Sequence, residues 1–230
     1  MKRYITALIA LIMTALLLSS CTKKAEGYEI IKNARKEYTK YDSAKIVVTN
    51  DLTGQISQEF SFKYEGDTLT YVYMGAGENG ELYYEYHNGD ELHIYESGEW
   101  SIYMKGDGKY QSYSRRNPHS MASEGVFLFV NKAIDEARIE EVDGGTKIEY
   151  IYDAKELSKQ MSRQLEEIGD IKTFEIHFNL NADGNIMQMR QISTLIKTDE
   201  NGNESQEDID YKLEVSEVNA VKEIKKPDTN

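Results

Sequence analysis

The sequence predicts an α+β domain built on one large, mostly antiparallel β-sheet, and three observations predict it. Apolar residues alternate with polar ones in run after run between Lys45 and Val215. Turn signals such as Asn88-Gly89, Ser97-Gly98 and Asp183-Gly184 separate these runs, at the roughly ten-residue spacing of a meander. Tyrosine is abundant and proline scarce, 17 against 2 in 230 residues, which suits strands, where an aromatic ring packs on a pleated surface and its hydroxyl reaches water.

Taken in order, residues 28–41 carry Tyr28, Ile31, Ala34 or Arg35, Tyr38 and Tyr41 at helical spacing with charges between them, an amphipathic helix that needs a surface to pack on. From Lys45 the period becomes two. Ile46 to Val48, Phe60 to Tyr64, Leu69 to Tyr73, Leu82 to Tyr86, Leu92 to Ile94 and Trp100 to Met104 read as successive strands. Lys105 to Asn117 is polar and glycine-containing, and reads as loop. His119 to Ile134 is the most apolar stretch after the N-terminal segment; its pattern fits a buried helix or a strand, and a helix is the expectation, with Ser120 or Ser123 as cap and Glu124 in the first turn. Strands near 137–142 and 147–152 follow, then a helix over 154–168. Three long strands close the pattern, around Phe174 to Leu180, Ile186 to Ile196 and Ile209 to Val215. The tail from Lys222 is polar and is expected to fray.

Residues 1–20 read as an address. Lys2 and Arg3 precede an apolar run, Tyr4 to Leu18, then Ser19 and Ser20, the order of a secretory signal. The run is shorter than the ~20 residues of a membrane-spanning helix. It ends Leu18-Ser19-Ser20-Cys21, which resembles the bacterial lipobox. The resemblance implies cleavage before Cys21 and a diacylglyceryl group on its thiol, and two acyl chains suffice for a stable anchor. The expected organisation is signal 1–20, tether 21–27, one domain over 28–220 and tail 221–230. The expected location is the extracytoplasmic side of a cell membrane, held by lipid.

Cys21 is the chain's one cysteine, so neither an internal disulfide nor a cysteine metal site forms within it. The net charge is −13, and residues 1–20 contribute Lys2 and Arg3 without an acid, which leaves −15 for the rest. That balance argues against nucleic acid, whose phosphates need a basic patch.

Catalytic patterns are missing after Cys21: that part of the sequence has no Gly-x-Ser-x-Gly and no Ser-x-x-Lys. An enzyme is disfavoured, and no cofactor or metal is expected. His87 and His93 flank a hairpin and read as strand-surface residues, since hydrolytic zinc wants three protein ligands. Asn181 to Asn185 faintly resembles a calcium loop, but Ile192 stands where the EF-hand needs glutamate, so a hairpin turn is expected. Some strands carry bulky residues on both faces: Val72 and Met74 oppose Leu69, Tyr71 and Tyr73, and Met187, Met189 and Leu195 oppose Ile186, Ile192 and Ile196. Either helices cover the second face, or it lines an apolar cavity.

The order of lipobox, tether, helix, meander, apolar insertion and three long strands resembles the lipoprotein-carrier and lipid-binding lipoprotein superfamily (LolA/LolB/LppX-like). The resemblance implies a strongly curved antiparallel sheet, a half-open barrel, with helices covering the concave face. It also implies a lipid or other hydrophobic ligand in that concavity, for which Tyr71, Tyr73, Trp100, Phe127 and Phe129 are the expected lining. The alternative is a cell-surface interaction or sensory lipoprotein without a small-molecule ligand.

Overall fold

The computed structural model describes residues 25–76, 80–113, 116–118, 131–160, 170–199 and 201–229. Helix α1 (Tyr28–Tyr38) leads into a meander of β1 (Ser43–Asn50), β2 (Gln55–Glu65), β3 (Thr68–Ala76), β4 (Leu82–His87), β5 (Glu91–Glu96) and β6 (Glu99–Met104). Short helix α2 (Gly108–Ser112) and a 3-10 turn (Asn131–Ala133) come next. A second meander follows: β7 (Ile134–Val142), β8 (Gly145–Tyr152), helix α3 (Ala154–Gln160), β9 (Asp170–Asn181), β10 (Ile186–Thr198) and β11 (Glu204–Ser216).

All 11 strands join one sheet in the order β6-β5-β4-β3-β2-β1-β11-β10-β9-β8-β7. Every pairing is antiparallel, and β1 against β11, Lys45 opposite Ser216 through Asn50 opposite Tyr211, zips the two meanders together. The sheet is open, with β6 and β7 as its edges, and it curves, as a twisted sheet of this width does.

Alternation sorts the side chains by face. Phe60 and Phe62 of β2, Tyr71 of β3, Ile148 and Tyr150 of β8, and Ile176 and Phe178 of β9 are almost fully buried on the concave face. Helix α1 lays Ile31, Ala34 and Tyr38 over them, and α3 adds Leu157. Each large apolar side chain so buried is worth about 1.5–3 kcal/mol. The α1 entry is fixed by Gly27 at φ 74°, where an added Cβ would stand 3.0 Å from Ile139 and from the Tyr150 hydroxyl. That hydroxyl donates to Glu26 O at 2.9 Å, so residues 26 and 27 sit against β7 and β8. Residues 219–229 have no regular structure after their first turn, yet Asn219 N–H donates to Ser43 O, Lys63 Nζ to Lys222 O and Lys226 Nζ to Glu91 Oε2.

Three features differ from the sequence expectation. The 105–117 stretch contains α2, a single helical turn too short for a periodic signal, held by the buried ring of Tyr110 against Leu92 and Ile94. Ile186, Met189 and Leu195 are all buried on one face, because the register shift between Ile186 and Gln188 flips the parity that strict alternation assigns. His87 and His93 are buried, 4% and 1% exposed, and not on the strand surface. They point to opposite faces, His87 opposite Tyr71 and His93 opposite Tyr86. The expected helix over 119–134 falls outside the described residues up to 130, as does the 161–168 part of the helix expected after Ala154. Asn181 to Asn185 is a turn, with Asn181 Oδ1 accepting from the backbone of Asp183 and Asn185.

Candidate functional site

On the concave face a groove of about 360 Å³ opens across β3, β2, β1, β11 and β10. Its apolar lining is Val48, Met189, Tyr211 and Leu213, its polar fringe Ser57, Gln58 and Gln191, with Ala76 beside them. The ladders explain why these meet: Val48 lies opposite Leu213, which lies opposite Met189, and Tyr211 lies opposite Gln191. A bulge shapes the β2 wall, since Val48 pairs with Gln58 but Thr49 with Ile56. The extra residue, Ser57, turns its hydroxyl to donate to Val48 O at 3.0 Å. No lining residue is charged, so the groove suits an apolar or amphiphilic molecule with uncharged polar atoms near the amides. It holds no nucleophile paired with a base.

Next to it stands a buried polar cluster. Glu85 of β4 points to the concave face with its side chain 6% exposed. Tyr71 donates to its Oε1, Tyr83 to Oε2 at 2.9 Å, and Arg116 Nε to Oε2 at 3.2 Å. The Arg116 guanidinium also lies over the Tyr73 ring, 3.4 Å from its centroid, and the Arg116 backbone N–H donates to the Tyr71 hydroxyl. A buried carboxylate is costly unless paired and hydrogen-bonded, and here it has a cation and two phenols. Burial first, then the Glu85 charge, raises the ionisation of both Tyr71 and Tyr83 above the ordinary tyrosine range, so both remain donors at neutral pH. Tyr71 stacks on His87, 5.3 Å between centroids, and His87 on Tyr110 at 6.0 Å. The Tyr110 hydroxyl donates to Gly89 O at 2.6 Å, and His87 Nε2 lies 3.1 Å from that hydroxyl. Two contacts therefore fix the segment entering residue 119: Arg116 on Glu85, and Pro118 O accepting from the Tyr38 hydroxyl at 3.1 Å.

The structure brings Tyr71 and Tyr73 together, inside this cluster and away from the groove lining. Trp100 is on the other face: it pairs with Tyr95, which pairs with Tyr84, which lies opposite Met74. Phe127, Phe129 and Cys21 lie outside the described residues. Of the groove lining, only Met189 was singled out from sequence, as one of the bulky residues on a second strand face, and neither Glu85 nor Arg116 was. Among the described residues, no group of three metal-ligating side chains converges and no helix is long and apolar enough to cross a membrane.

No protein-family model matches the chain, and no curated protein matches it either. Among solved structures it is similar to LprF from Mycobacterium bovis, with TM-score 0.46 and 14% identity over 86% of this chain and 95% of that one. It is also similar to the Mycobacterium tuberculosis lipoprotein LppX, with TM-score 0.45 and 12% identity over 86% of this chain and 97% of that one.

Proposed function

We propose that this chain is a membrane-tethered extracytoplasmic protein, lipid-modified on Cys21, that holds a lipid or other hydrophobic ligand in the concave groove. The observation that carries the reading is the groove: about 360 Å³, with no charged residue in its lining, within the size of small-molecule sites. Apolar burial at ~25 cal/mol per Å² supplies the driving force, and Gln58 and Gln191 offer amides to a head group. The N-terminal segment supports the tether through the order of charge, apolar run and Cys21.

The test is titration with a fluorescent fatty acid, comparing the parent with Gln191→Trp. Gln191 is half-buried in the lining, so the larger ring fills the groove while the ladder stays intact. Saturable binding by the parent that is lost in a variant of unchanged urea midpoint supports the reading; no binding by either overturns it. Tethering is read separately, as the diacylglyceryl mass on the Cys21 peptide and its loss in Cys21→Ser.

A second reading, an interaction module, has its own observation. Leu82, Ile102 and Met104 are 55%, 49% and 48% exposed at one edge of the sheet, beside half-exposed Tyr84, Tyr95 and Trp100.

A further inference from the structure

The two edges of the sheet are built differently. Edge β7 exposes Asp135, Glu136, Arg138, Glu140 and Glu141, charges that deter another strand from pairing. Edge β6 reads Glu-Trp-Ser-Ile-Tyr-Met, with no charge between Trp100 and Met104. Its hydrogen-bonding state follows from the ladder. Lys105 N–H donates to Asp90 O, and such pairs recur at every second residue, so Tyr103 and Ser101 also bond to β5. The peptide groups of Trp100, Ile102 and Met104 therefore face away from it. Those of Met104 are met within the turn: Asp107 Oδ2 accepts from its N–H at 2.9 Å, and its C=O accepts from Asp107 N–H at 3.0 Å. Trp100 and Ile102 have no second strand among the described residues.

We propose that β6 is a homodimer edge, pairing antiparallel with β6 of a second copy about a two-fold axis through Ser101. In that register Trp100 lies opposite Ile102 of the second copy, and each N–H and C=O left open by the edge gains its partner. The Asp107 cap on Met104 marks where the pairing stops.

Two features of the strand select a second copy over an unrelated segment. The side chains are self-complementary: Trp100 against Ile102 is an aromatic–β-branched pair, favourable across antiparallel strands, and the axis makes it twice. The charges also match. Within the chain Glu99 lies directly opposite Glu96, a like-charge pair that costs stability. The two-fold axis brings Lys105 of the second copy diagonal to Glu99, on the same face. Lys105 is free to swing, being 69% exposed, with one salt bridge to a 74% exposed Asp90. The dimer thus sets opposite charges beside each other at both ends of the seam. It also joins the exposed apolar strips of the two copies into one face. The ligand groove takes no part, so this inference stands apart from the proposed function.

The experiment is sedimentation velocity on the full chain in detergent, over about 1–100 µM, with four variants. The parent is expected to dimerise. Ile102→Lys, at a position 49% exposed and so harmless to folding, is expected to weaken the dimer by at least about tenfold. Glu99→Lys weakens it, and Glu99→Lys with Lys105→Glu restores it. Ser101→Cys cross-links across the axis on oxidation, since facing residues at such a site are ~4.5 Å apart at Cα, while the parent with Cys21 alone does not. A parent that is monomeric throughout overturns the proposal. So does a dimer that Ile102→Lys leaves untouched, and failure of the charge swap to restore association or of Ser101→Cys to cross-link overturns this register.

Discussion

Replacing Arg116 by methionine isolates the contact that fastens the segment before residue 119 to the sheet. Methionine keeps the length of the stem and a sulfur to lie on the Tyr73 ring, but removes the cation. Glu85 is then left with Tyr71 and Tyr83 in a site where its side chain is 6% exposed. The lost charged hydrogen bond, 3.2 Å long, is worth about 1.5–3 kcal/mol. The cation–π contact at 3.4 Å adds about 0.5–2 kcal/mol. Water screens part of both, since the Arg116 side chain is 33% exposed. The expected net loss is about 2–3 kcal/mol, a fall in Tm of about 5–10 °C for a domain of this size. Urea unfolding measures it, with the m-value unchanged. Glu85→Gln removes the buried carboxylate, so Arg116→Met on that background should cost about 1–2 kcal/mol less. Additivity of the two changes within about 0.5 kcal/mol would refute the reasoning, because Glu85 would then not depend on Arg116.

Two further outcomes follow from the geometry. Gly145→Ala places a Cβ 1.8 Å from Leu180 O, so β8 and β9 must part at that end; a loss of about 2–4 kcal/mol is expected, with faster hydrogen exchange around Leu180. Gly144→Ala next to it meets open space at φ 83° and should cost only about 1 kcal/mol. For pH, Lys226 first and His93 second hold the Glu91 carboxyl below its ordinary range. A folded-state value below the unfolded one, about 4.3, means the stabilisation is present above that pH and lost as pH falls through the folded value. Docking of the tail on β5, read as the resistance of residues 222–229 to proteolysis, should therefore weaken as pH falls below the unfolded value, and should already be weaker at neutral pH in Glu91→Gln.

Most of the strands were legible because alternation survives wherever one face is buried and the other wet, as in Phe174 to Leu180. Faces were less legible, because a bulge such as that between Ile186 and Gln188 shifts the parity by one and leaves no mark in composition. Trp100 could have been assigned correctly. The two-residue turn Ser97-Gly98 sets Glu96 opposite Glu99, and carrying that register through Tyr95 and Tyr84 puts Trp100 behind the sheet from Tyr73. The Glu85–Arg116 contact had no such signal: the residues are 31 apart, and Arg116 lies within a stretch that reads as loop. The groove escaped for a related reason. Val48 and Met189 meet only because β1 pairs with β11, and nothing local in either strand announces that the two meanders join there.

Native mass spectrometry of the chain extracted from membranes in detergent, before and after organic extraction, tests the central claim most directly. The expected result is a bound mass, released by the solvent as lipid or another hydrophobic small molecule and absent from Gln191→Trp. A clean ligand-free mass for the parent, with no uptake of added fatty acid, would contradict it and leave the groove as an unfilled feature of the fold.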